Sequence, residues 1–354
     1  MNGRKVAVAM SGGVDSSVAA AILKQQGYQV TGLMLRLWSE PGTEDSNRCC
    51  TPDAMAAARR VAAILDIPFY VIDAREVFRS TVVDYFLDGY GRGQTPNPCL
   101  VCNRSIRWTY LLEHALALGA ECMATGHYVR KQTLEGVHQL LRSVDPVKDQ
   151  SYVLHILDQS QLSRALFPIG DYHKAEIRDL ADSYNLPTST RKDSQDLCFL
   201  AGDDYRNFLA RNAPHLLVSG EIRSQAGKLL GTHKGLPNYT IGQRKGLGFT
   251  SAEPMYVLRK DVAANTLIAG DLNELGMFEL NAYHAHWISG SLPGEPFRAQ
   301  VKIRYTAREA DAMVTPHPPD RFQVHFDSPQ RDITPGQAAV IYQHEVMLGG
   351  GIIV

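Results

Sequence analysis

The stretch KVAVAMSGGVDSSVAAAILKQQG, residues 5–27, combines a run of apolar residues, a glycine-serine turn and a second apolar pattern of helical period. KVAVAM (Lys5–Met10) predicts a short buried strand, and residues 15–26 predict a helix that ends at Gly27. Strand and helix patterns continue to alternate as far as ECMATG, residues 121–126. This alternation predicts an α/β fold, with a parallel sheet covered by helices on both faces.

The turn SGGVDSS (Ser11–Ser17) has the features of a site for phosphate groups. Its glycines let the backbone approach a ligand closely, and the helix that follows offers free amide groups and the positive end of its dipole. The loop contains no lysine, so it is neither a Walker A loop nor a dinucleotide-binding GxGxxG motif. Asp15 beside bound phosphates would make sense with a shared Mg²⁺, although an acid in a first turn also favours the helix dipole.

A pair of cysteines, Cys99 and Cys102, lies in TPNPCLVCN (residues 95–103), directly before a basic segment with a helical pattern. Thiols at this spacing could hold a metal, form a redox disulfide or supply a nucleophile. We expect a helix to begin near Arg104, which would place Cys102 just ahead of the amide dipoles and favour its thiolate. The residues around Cys198 are, by themselves, more typical of a small buried side chain.

The composition sets the outer limits of the function. With 354 residues, the chain is long enough for two or three domains. Lys and Arg (36) nearly balance Asp and Glu (37), which excludes a general polyanion-binding coat but leaves room for a local basic face. The sequence shows neither a membrane-spanning run nor a signal peptide, and its six cysteines then favour a reducing compartment, so we expect a cytoplasmic protein.

The pattern changes near Gly202, where glycine and proline become frequent and long helical periods end. We therefore expect three domains: an α/β domain over residues 1–203, a small mixed domain over 204–276 and a C-terminal β-barrel over 277–354. The barrel is predicted from four strand-like runs between turn residues: FRAQVKIRYT, RFQVHF, AAVIYQ and VMLGGGIIV.

Further motifs follow one another along nearly the whole chain. They are TPNP shortly before Cys102-Asn103, ATGHY (124–128), KDQSYVL (148–154), KDSQDLCF (192–199) and YTIGQRKGLG (239–248). Together with SGGVDSS, they resemble the signature of the tRNA-specific 2-thiouridylases (the MnmA/TrmU family), which belong to the PP-loop ATP pyrophosphatase superfamily. The resemblance implies a PP-loop catalytic domain of HUP-like fold, a small central domain that contacts tRNA, and a β-barrel.

Members of this family make 2-thiouridine at the wobble position of certain tRNAs. The resemblance implies that ATP adenylates the C2 oxygen of the wobble uridine, that sulfur replaces this oxygen, and that AMP and pyrophosphate are released. It also implies binding of the tRNA anticodon loop and stem, Mg²⁺ beside the ATP, and a sulfur-donor protein or desulfurase relay. We expect a monomer.

The resemblance also implies roles for particular residues. Cys102 would be the nucleophile, and Cys198 would carry a persulfide. The residues that fall where the family binds ATP are Ala9, Met10, Ser11, Gly12, Gly13, Val14, Asp15, Ser16, Leu35 and Gly126. The residues that fall where it meets the target base or the tRNA are Asn97, Pro98, Cys99, His127, Lys148, Asp149, Gln150, Arg304, Tyr305 and Gln337.

Two positions depart from the family pattern: most members have methionine where this chain has Leu35, and many have aspartate where it has Cys99. Cys99, Cys102 and Cys198 could therefore hold a [4Fe-4S] cluster whose fourth iron binds sulfide, as in related tRNA sulfurtransferases. A cluster-bound Cys102 cannot also act as a nucleophile, so the two mechanisms exclude each other. A zinc site would need a fourth ligand, and the sequence places no histidine close to the pair. The vicinal pair Cys49-Cys50 could form a strained disulfide or a regulatory thiol, or belong to an ordinary loop.

Two other functions are compatible with part of the pattern. A small-molecule PP-loop ligase, such as an amidotransferase or argininosuccinate synthase, would need neither the cysteine pair nor the β domain. An RNA-binding module with a degenerate loop would not need an intact SGGVDSS. Turnover of ATP to AMP that depends on tRNA would distinguish both from a tRNA-thiolating enzyme.

Overall fold

The computed structural model describes residues 3–43, 51–191 and 197–354; Cys49-Cys50 and most of KDSQDLCF therefore lie outside the described residues. In chain order, the N-terminal part consists of β1 (Lys5–Ala9), α1 (Val14–Gln25), β2 (Gln29–Arg36), α2 (Pro52–Ile64), β3 (Phe69–Asp73), α3 (Arg75–Phe78), a π-helical turn (Arg79–Val83), α4 (Asp84–Gly91), α5 (Pro98–Val101), a π-helical stretch (Cys102–Leu111), α6 (Leu112–Ala117), β4 (Cys122–Thr125), β5 (Val129–Leu134), β6 (Val137–Arg142), α7 (Gln159–Arg164), β7 (Ala165–Leu166) and α8 (Lys174–Ser183). β3, β2, β1, β4 and β7 form a parallel sheet in this order.

The order of the strands in this sheet determines where a ligand fits. Successive strands are added on one side of β1 up to β3, and the chain then crosses over to place β4 on the other side of β1. The loops that leave the carboxyl ends of β1 and β4 therefore border the crevice in which open α/β sheets bind ligands.

Local signals explain the first helices. α1 turns Val18 and Ile22 into the core and is followed by Gly27, whose φ of +85° suits glycine. α2 begins where Thr51 caps it, because the Thr51 hydroxyl accepts a hydrogen bond from Ala54 N at 3.0 Å and Pro52 fits the first turn. The helix predicted over residues 15–26 is confirmed within one residue at each end.

α5 and α6 form one continuous helix through the π-helical stretch between them. The helix predicted to begin near Arg104 begins earlier, at Pro98, because Asn97 caps it and proline fits its first position. The expectation that Cys102 precedes a helix is therefore wrong. Cys102 lies inside the helix, and Cys99 occupies its first turn.

The rest of the chain forms two β units. Its elements are α9 (Tyr205–Asn212), β8 (Gly220–Ser224), β9 (Leu229–His233), β10 (Tyr256–Asp261), β11 (Thr266–Gly270), β12 (Met277–Trp287), β13 (Phe297–Lys302), β14 (Ala310–His317), β15 (Arg321–Gln330), β16 (Ala338–Gln343) and β17 (Val346–Ile353). β10, β11, β8 and β9 form a small mixed sheet. β12, β15, β14, β13, β16 and β17 form an antiparallel barrel, which closes where β12 pairs with β17. The predicted α/β class, mixed central unit and C-terminal barrel are confirmed.

A hairpin of the N-terminal part joins the barrel, which the sequence analysis did not predict. β6 pairs with β17 through Met347 and Leu140, so β5 and β6 extend the barrel sheet. Leu140, Tyr152, Tyr342 and Met347 belong to one buried cluster with residues of the parallel sheet. The barrel is thereby packed against the N-terminal domain through a shared core. Among the described residues, no helix combines the length and apolarity needed to cross a membrane.

Candidate functional site

The loop SGGVDSS forms a compact turn between β1 and α1. Gly12 has a φ of +77°, and a Cβ at this position would lie 2.3 Å from the Ala54 carbonyl oxygen, so glycine is required on both counts. Ser11 N donates to the Ser16 hydroxyl at 3.2 Å, and this hydroxyl donates in turn to the Gly13 carbonyl at 3.2 Å. The turn is therefore held in shape by its own serines, with the N-terminus of α1 at its centre.

Residues from neighbouring strands complete the crevice beside this loop. A Cβ on Gly126, which follows β4, would lie 2.6 Å from Ser16 N, so the two loops touch backbone to backbone. Ala9, Leu35 and Ile72 lie near the carboxyl ends of β1, β2 and β3, where they are half-buried and apolar. Such a surface fits the flat face of a nucleobase beside a phosphate-binding turn. Gly126 and Leu35 thus lie at the same edge of the sheet as the SGGVDSS loop. Met10 and Val14 are buried.

Asp15 faces a lysine that lies far from it in the sequence. Lys174 Nζ, at the start of α8, lies 2.7 Å and 2.9 Å from the two carboxylate oxygens of Asp15. The Tyr128 hydroxyl donates to the same carboxylate at 2.8 Å. The Lys174 side chain is only 12% exposed. None of the motifs in the sequence includes Lys174; the local signal is that a cation in the first turn of a helix opposes the helix dipole, so such a residue is a candidate for another role.

A second cation, Arg191, also reaches the loop. Its Nη1 donates to the Gly12 carbonyl oxygen at 3.0 Å, and its other terminal nitrogen pairs with Asp53 in the first turn of α2. Arg178 of α8 fixes the backbone of this turn by donating to the Arg191 carbonyl at 3.1 Å. The loop that lacks a lysine in sequence is therefore flanked by a lysine and an arginine in space.

The residues of the TPNPC motif line an open cleft. This cleft has a volume of about 740 Å³ and includes Asn97, Pro98, Cys99 and Gln337 in its walls. Leu197, the neighbour of Cys198, lines the same cleft. Asn97 Oδ1 accepts a hydrogen bond from Cys99 N at 3.1 Å and so fixes the exposed Cys99 at the first turn of α5. The structure thus places four of the predicted base-contacting or tRNA-contacting residues on one concave surface.

Cys102 and Cys198 lie against the same hydrophobic cluster. Both side chains are half-buried, and both pack on a group of aromatic residues that includes Phe86 and Phe199. The cluster also holds the helix that contains Cys102 against the short 3₁₀ turn that contains Cys198 (Cys198–Leu200). The two thiols predicted to act together are therefore anchored on the same core.

Cys99, Cys102 and Cys198 are the residues that the predicted metal cluster would need as ligands. Within residues 3–43, 51–191 and 197–354, no three side chains of histidine, cysteine, aspartate or glutamate are grouped so that they could hold a metal ion. This range includes Cys99, Cys102 and Cys198. Their arrangement does not fit the predicted [4Fe-4S] site, and we derive no step through such a cluster.

A chain of contacts connects the phosphate loop to the helix of the cysteines. His127 directly follows Gly126 and is buried, with Nδ1 2.7 Å from the Thr125 hydroxyl and Nε2 3.0 Å from Arg107 Nη1. Because a guanidinium can only donate, Nε2 accepts and Nδ1 carries the proton. Burial, together with the charge of Arg107, holds the pKa of His127 well below its usual range. Arg107 also donates to Asn103 Oδ1 at 3.3 Å, beside Cys102.

The KDQ motif lies beside this connection. Gln150 Oε1 accepts from Tyr128 N at 3.0 Å, and buried Asp149 accepts from Ser143 N at 3.0 Å. Lys148 is half-exposed at the edge of the same turn. Asp149 and Gln150 therefore shape the backbone of this turn.

The barrel contributes residues that approach Cys99. Tyr305 follows β13 in a loop, and its ring centroid lies 6.0 Å from that of Tyr152. Burial raises the pKa of Tyr305, and the nearby Asp149 and Cys99 add to this effect. Arg304 pairs with Asp332 at 3.1 Å. Of the predicted tRNA-contacting residues of the barrel, Tyr305 and Gln337 thus lie near the loop that carries the predicted base-contacting residues.

A parallel sheet with a lysine-free SGGVDSS loop at its crossover defines a nucleotide-binding domain of the PP-loop class. A family model described as "tRNA methyl transferase HUP domain" matches residues 4–202. Two further models match residues 206–271 ("tRNA methyl transferase PRC-barrel domain") and 278–353 ("Aminomethyltransferase beta-barrel domain").

Curated relatives match the chain over nearly its whole length. It is 48% identical over 354 residues to the tRNA-specific 2-thiouridylase MnmA of Magnetococcus marinus, covering 99% of each chain. It is 48% identical to the MnmA of Chloroflexus aurantiacus over 98% of each chain, and 46% identical to that of Roseiflexus castenholzii over 99% of each. The chain belongs to the tRNA-specific 2-thiouridylase family.

Solved structures show a more distant similarity. The U34-tRNA thiolase NcsA from Methanococcus maripaludis, solved with its [4Fe-4S] cluster, is 20% identical, with a TM-score of 0.37 over 60% of this chain and 67% of that one. A 4-thiouridine synthetase in complex with RNA and ATP is 17% identical, with a TM-score of 0.35 over 60% of this chain and 50% of that one.

Proposed function

We propose that this protein is an ATP-dependent tRNA-uridine 2-sulfurtransferase that converts the wobble uridine to 2-thiouridine. As a member of the family, it is an enzyme that thiolates uridine in tRNA. The observation that supports the detailed proposal is the chain of contacts from Ser16 through Gly126, His127 and Arg107 to the helix of Cys102. It joins the phosphate loop to the helix that carries Cys102, and the first turn of the same helix places Cys99 in the wall of the cleft.

The first half of the reaction uses the phosphate loop. The C2 oxygen of uridine attacks the α-phosphorus of ATP, and the bond from this phosphorus to the bridging oxygen breaks, which releases pyrophosphate. The amide groups at the start of α1 and the hydroxyls of Ser11 and Ser16 would bind the phosphates. Asp15 would hold a Mg²⁺ that is shared with these phosphates; one carboxylate beside a phosphate loop suits this ion.

The second half uses the two thiols. The terminal sulfur of a persulfide on Cys198 attacks C2, and AMP leaves with the electrons of the C2–oxygen bond. The Cys102 thiolate then attacks the Cys198 sulfur, and the bond between Cys198 and the transferred sulfur breaks. The transferred sulfur remains on C2, the two cysteines form a disulfide, and an external thiol reductant restores them. A thiolate is the reactive form in each step.

The cleft would receive the uridine and the adjoining RNA. A base in an anticodon loop is unpaired, so turning it into a pocket costs little. Asn97, Pro98 and Cys99 would meet the target base, whereas Lys148, Arg304 and Tyr305 would contact the surrounding tRNA. A sulfur-donor protein would load Cys198. We further propose that the enzyme works as a monomer in the cytosol.

The test is a reaction with purified protein, ATP, unmodified tRNA and a persulfide donor. We expect AMP to form only when tRNA is present, and 2-thiouridine to appear at the wobble position in nucleoside mass spectrometry. AMP formation with a small acid instead of tRNA would indicate a small-molecule ligase. Binding of tRNA without AMP formation would indicate an RNA-binding module, and either result would contradict the proposal.

A further inference from the structure

The phosphate loop presents a problem of charge. Its donors are neutral amides and hydroxyls, and its one charged side chain, Asp15, is negative. ATP and the departing pyrophosphate carry several negative charges, which phosphate-transfer sites neutralise with cations. A shared Mg²⁺ would neutralise part of this charge, and part of its own charge would be cancelled by Asp15.

Lys174 is placed to supply a cation. Its Nζ lies 2.7 Å from Asp15, on the first turn of α1, and its backbone N donates to buried Asp145 at 3.0 Å. The base of the side chain is therefore fixed while the flexible stem can reposition the ammonium group. Nζ also lies 5.7 Å from the Tyr128 ring centroid, so this aromatic face limits where the group can go.

Arg191 contacts the backbone of the same loop. Its guanidinium bonds the Gly12 carbonyl at 3.0 Å and pairs with Asp53, which is exposed. An ion pair with an exposed carboxylate contributes little because water screens it, whereas a guanidinium can bind a phosphate group with two parallel hydrogen bonds. A phosphate group at the loop could therefore draw Arg191 away from Asp53.

We infer that Lys174 and Arg191 are the cations of the nucleotide site and bind the β- and γ-phosphates, which become the pyrophosphate leaving group. They take the place of the lysine that the loop lacks. As the bond between the α-phosphorus and the bridging oxygen breaks, its electrons pass to pyrophosphate, and the two cations stabilise that charge. Lys174 rests on Asp15 until ATP, with its metal, offers both groups new partners.

Because the role of both cations rests on the proposed function, in which the loop binds ATP, the test measures nucleotide binding without tRNA. Titration calorimetry would compare ATP, pyrophosphate and AMP with the full-length protein in the presence of Mg²⁺. We expect Lys174→Ala and Arg191→Ala each to lower the affinity for ATP and for pyrophosphate roughly 10- to 100-fold, which is the effect of losing one charge-assisted hydrogen bond. The affinity for AMP, which lacks these phosphates, should change less than about twofold.

Two control variants, each of which removes a positive charge away from the loop, show whether the loss of any such charge would weaken ATP binding. Lys24→Ala removes an exposed lysine that bonds the Asp66 carbonyl at 3.1 Å, far from the loop. Arg164→Ala removes an arginine that, like Arg191, bonds a backbone carbonyl, that of Glu121 at 3.3 Å. Both should bind ATP as the wild type does, and Lys174→Arg should restore part of the ATP affinity.

The outcomes are distinct. If Lys174→Ala lowers the affinities for ATP and AMP equally, the lysine only shapes the loop through Asp15. If the affinity for ATP is unchanged, the lysine has no role at the loop. Either result overturns the inference and leaves tRNA thiolation standing. A wild-type protein that binds no ATP would instead contradict the proposed function, and the inference with it.

Discussion

Gln337 of the C-terminal barrel donates a hydrogen bond from Nε2 to the carbonyl oxygen of Thr95, 2.8 Å away, in the loop that leads to Cys99. Thr95 N donates in turn to the Pro335 carbonyl at 2.8 Å. A Cβ on Gly336 would lie 3.0 Å from the Thr95 oxygen, so the two loops pack backbone to backbone. The barrel thereby shapes the wall of a cleft whose exposed thiol, Cys99, belongs to the other domain.

We expect Gln337→Ala to lower kcat/KM for tRNA thiolation roughly fivefold, as for the loss of one positioning hydrogen bond worth about 1 kcal/mol. ATP affinity should stay unchanged, because the phosphate loop lies elsewhere. Mass spectrometry of 2-thiouridine and calorimetry with ATP would measure the two effects. The control is Gln343→Ala, which replaces an exposed glutamine at the end of β16. An equal fall of kcat/KM in this variant would contradict the prediction.

Gly126→Ala should disrupt the contact between the loops after β1 and β4. The added Cβ would lie 2.6 Å from Ser16 N and 2.7 Å from the Asp15 carbonyl carbon, and backbone cannot move aside as a flexible side chain does. We expect the free energy of unfolding to fall by about 1–3 kcal/mol and ATP binding to weaken. Denaturant unfolding and calorimetry would test this. Gly294→Ala, where a Cβ meets nothing within 4 Å, should leave both quantities unchanged.

Much of the α/β domain could be predicted because its signals are local. The Thr51-Pro52 start of α2, the glycine that ends α1 and the buried strands each depend on a few neighbouring residues. The early start of α5 was also signalled locally, since Asn97 followed by Pro98 is a cap and a first-turn proline. The helical pattern after Arg104 covers only the later part of this helix, whereas the cap marks its start.

Parts of the candidate site could not be predicted because they depend on contacts between distant residues. Lys174 meets Asp15 across 159 positions, and Gln337 meets Thr95 across 242. No periodicity or spacing records such a pair; only the packing of α8 and of the barrel against the N-terminal domain creates it. The motif resemblance pointed to Gln337 as a tRNA contact but could not indicate its bond to Thr95.

Asp15→Ala should abolish AMP formation while tRNA binding persists, because the carboxylate would hold the metal shared with ATP and the tRNA surface lies on other elements. A nucleotide-release assay and a filter-binding assay would measure the two properties. The control is Asp182→Ala, which replaces an exposed aspartate of α8 and should retain AMP formation. Thiolation that survived Asp15→Ala would show that the phosphate loop has been wrongly placed.

Acid should destabilise the protein through a buried histidine of the domain interface. Burial lowers the pKa of His155 from 6.5 to about 3, so as the pH falls the unfolded state takes up a proton first. The stability that this histidine contributes is complete above pH 6.5 and is lost as the pH falls towards 3, by about 1.4 kcal/mol per pH unit.

We therefore expect His155 to account for a fall of about 2 kcal/mol in the free energy of unfolding between pH 6.5 and about pH 5, beside the loss from buried His127. His155→Gln should flatten this dependence in denaturant unfolding at several pH values. His317→Gln, at an exposed position of β14, should not. A pH dependence identical in all three proteins would mean that other groups cause it.

The cysteines should separate adenylation from sulfur transfer. We expect Cys198→Ser and Cys102→Ser each to abolish 2-thiouridine while tRNA-dependent AMP formation continues, because the phosphate loop is intact and only the thiols that carry and release sulfur are lost. Cys99→Asp should retain thiolation, since the persulfide route does not use this exposed thiol. Mass spectrometry of the tRNA would be paired with iron and acid-labile sulfide measurements on anaerobically purified protein. Bound iron and sulfide that disappear in Cys99→Asp together with thiolation would replace the persulfide route by a cluster mechanism.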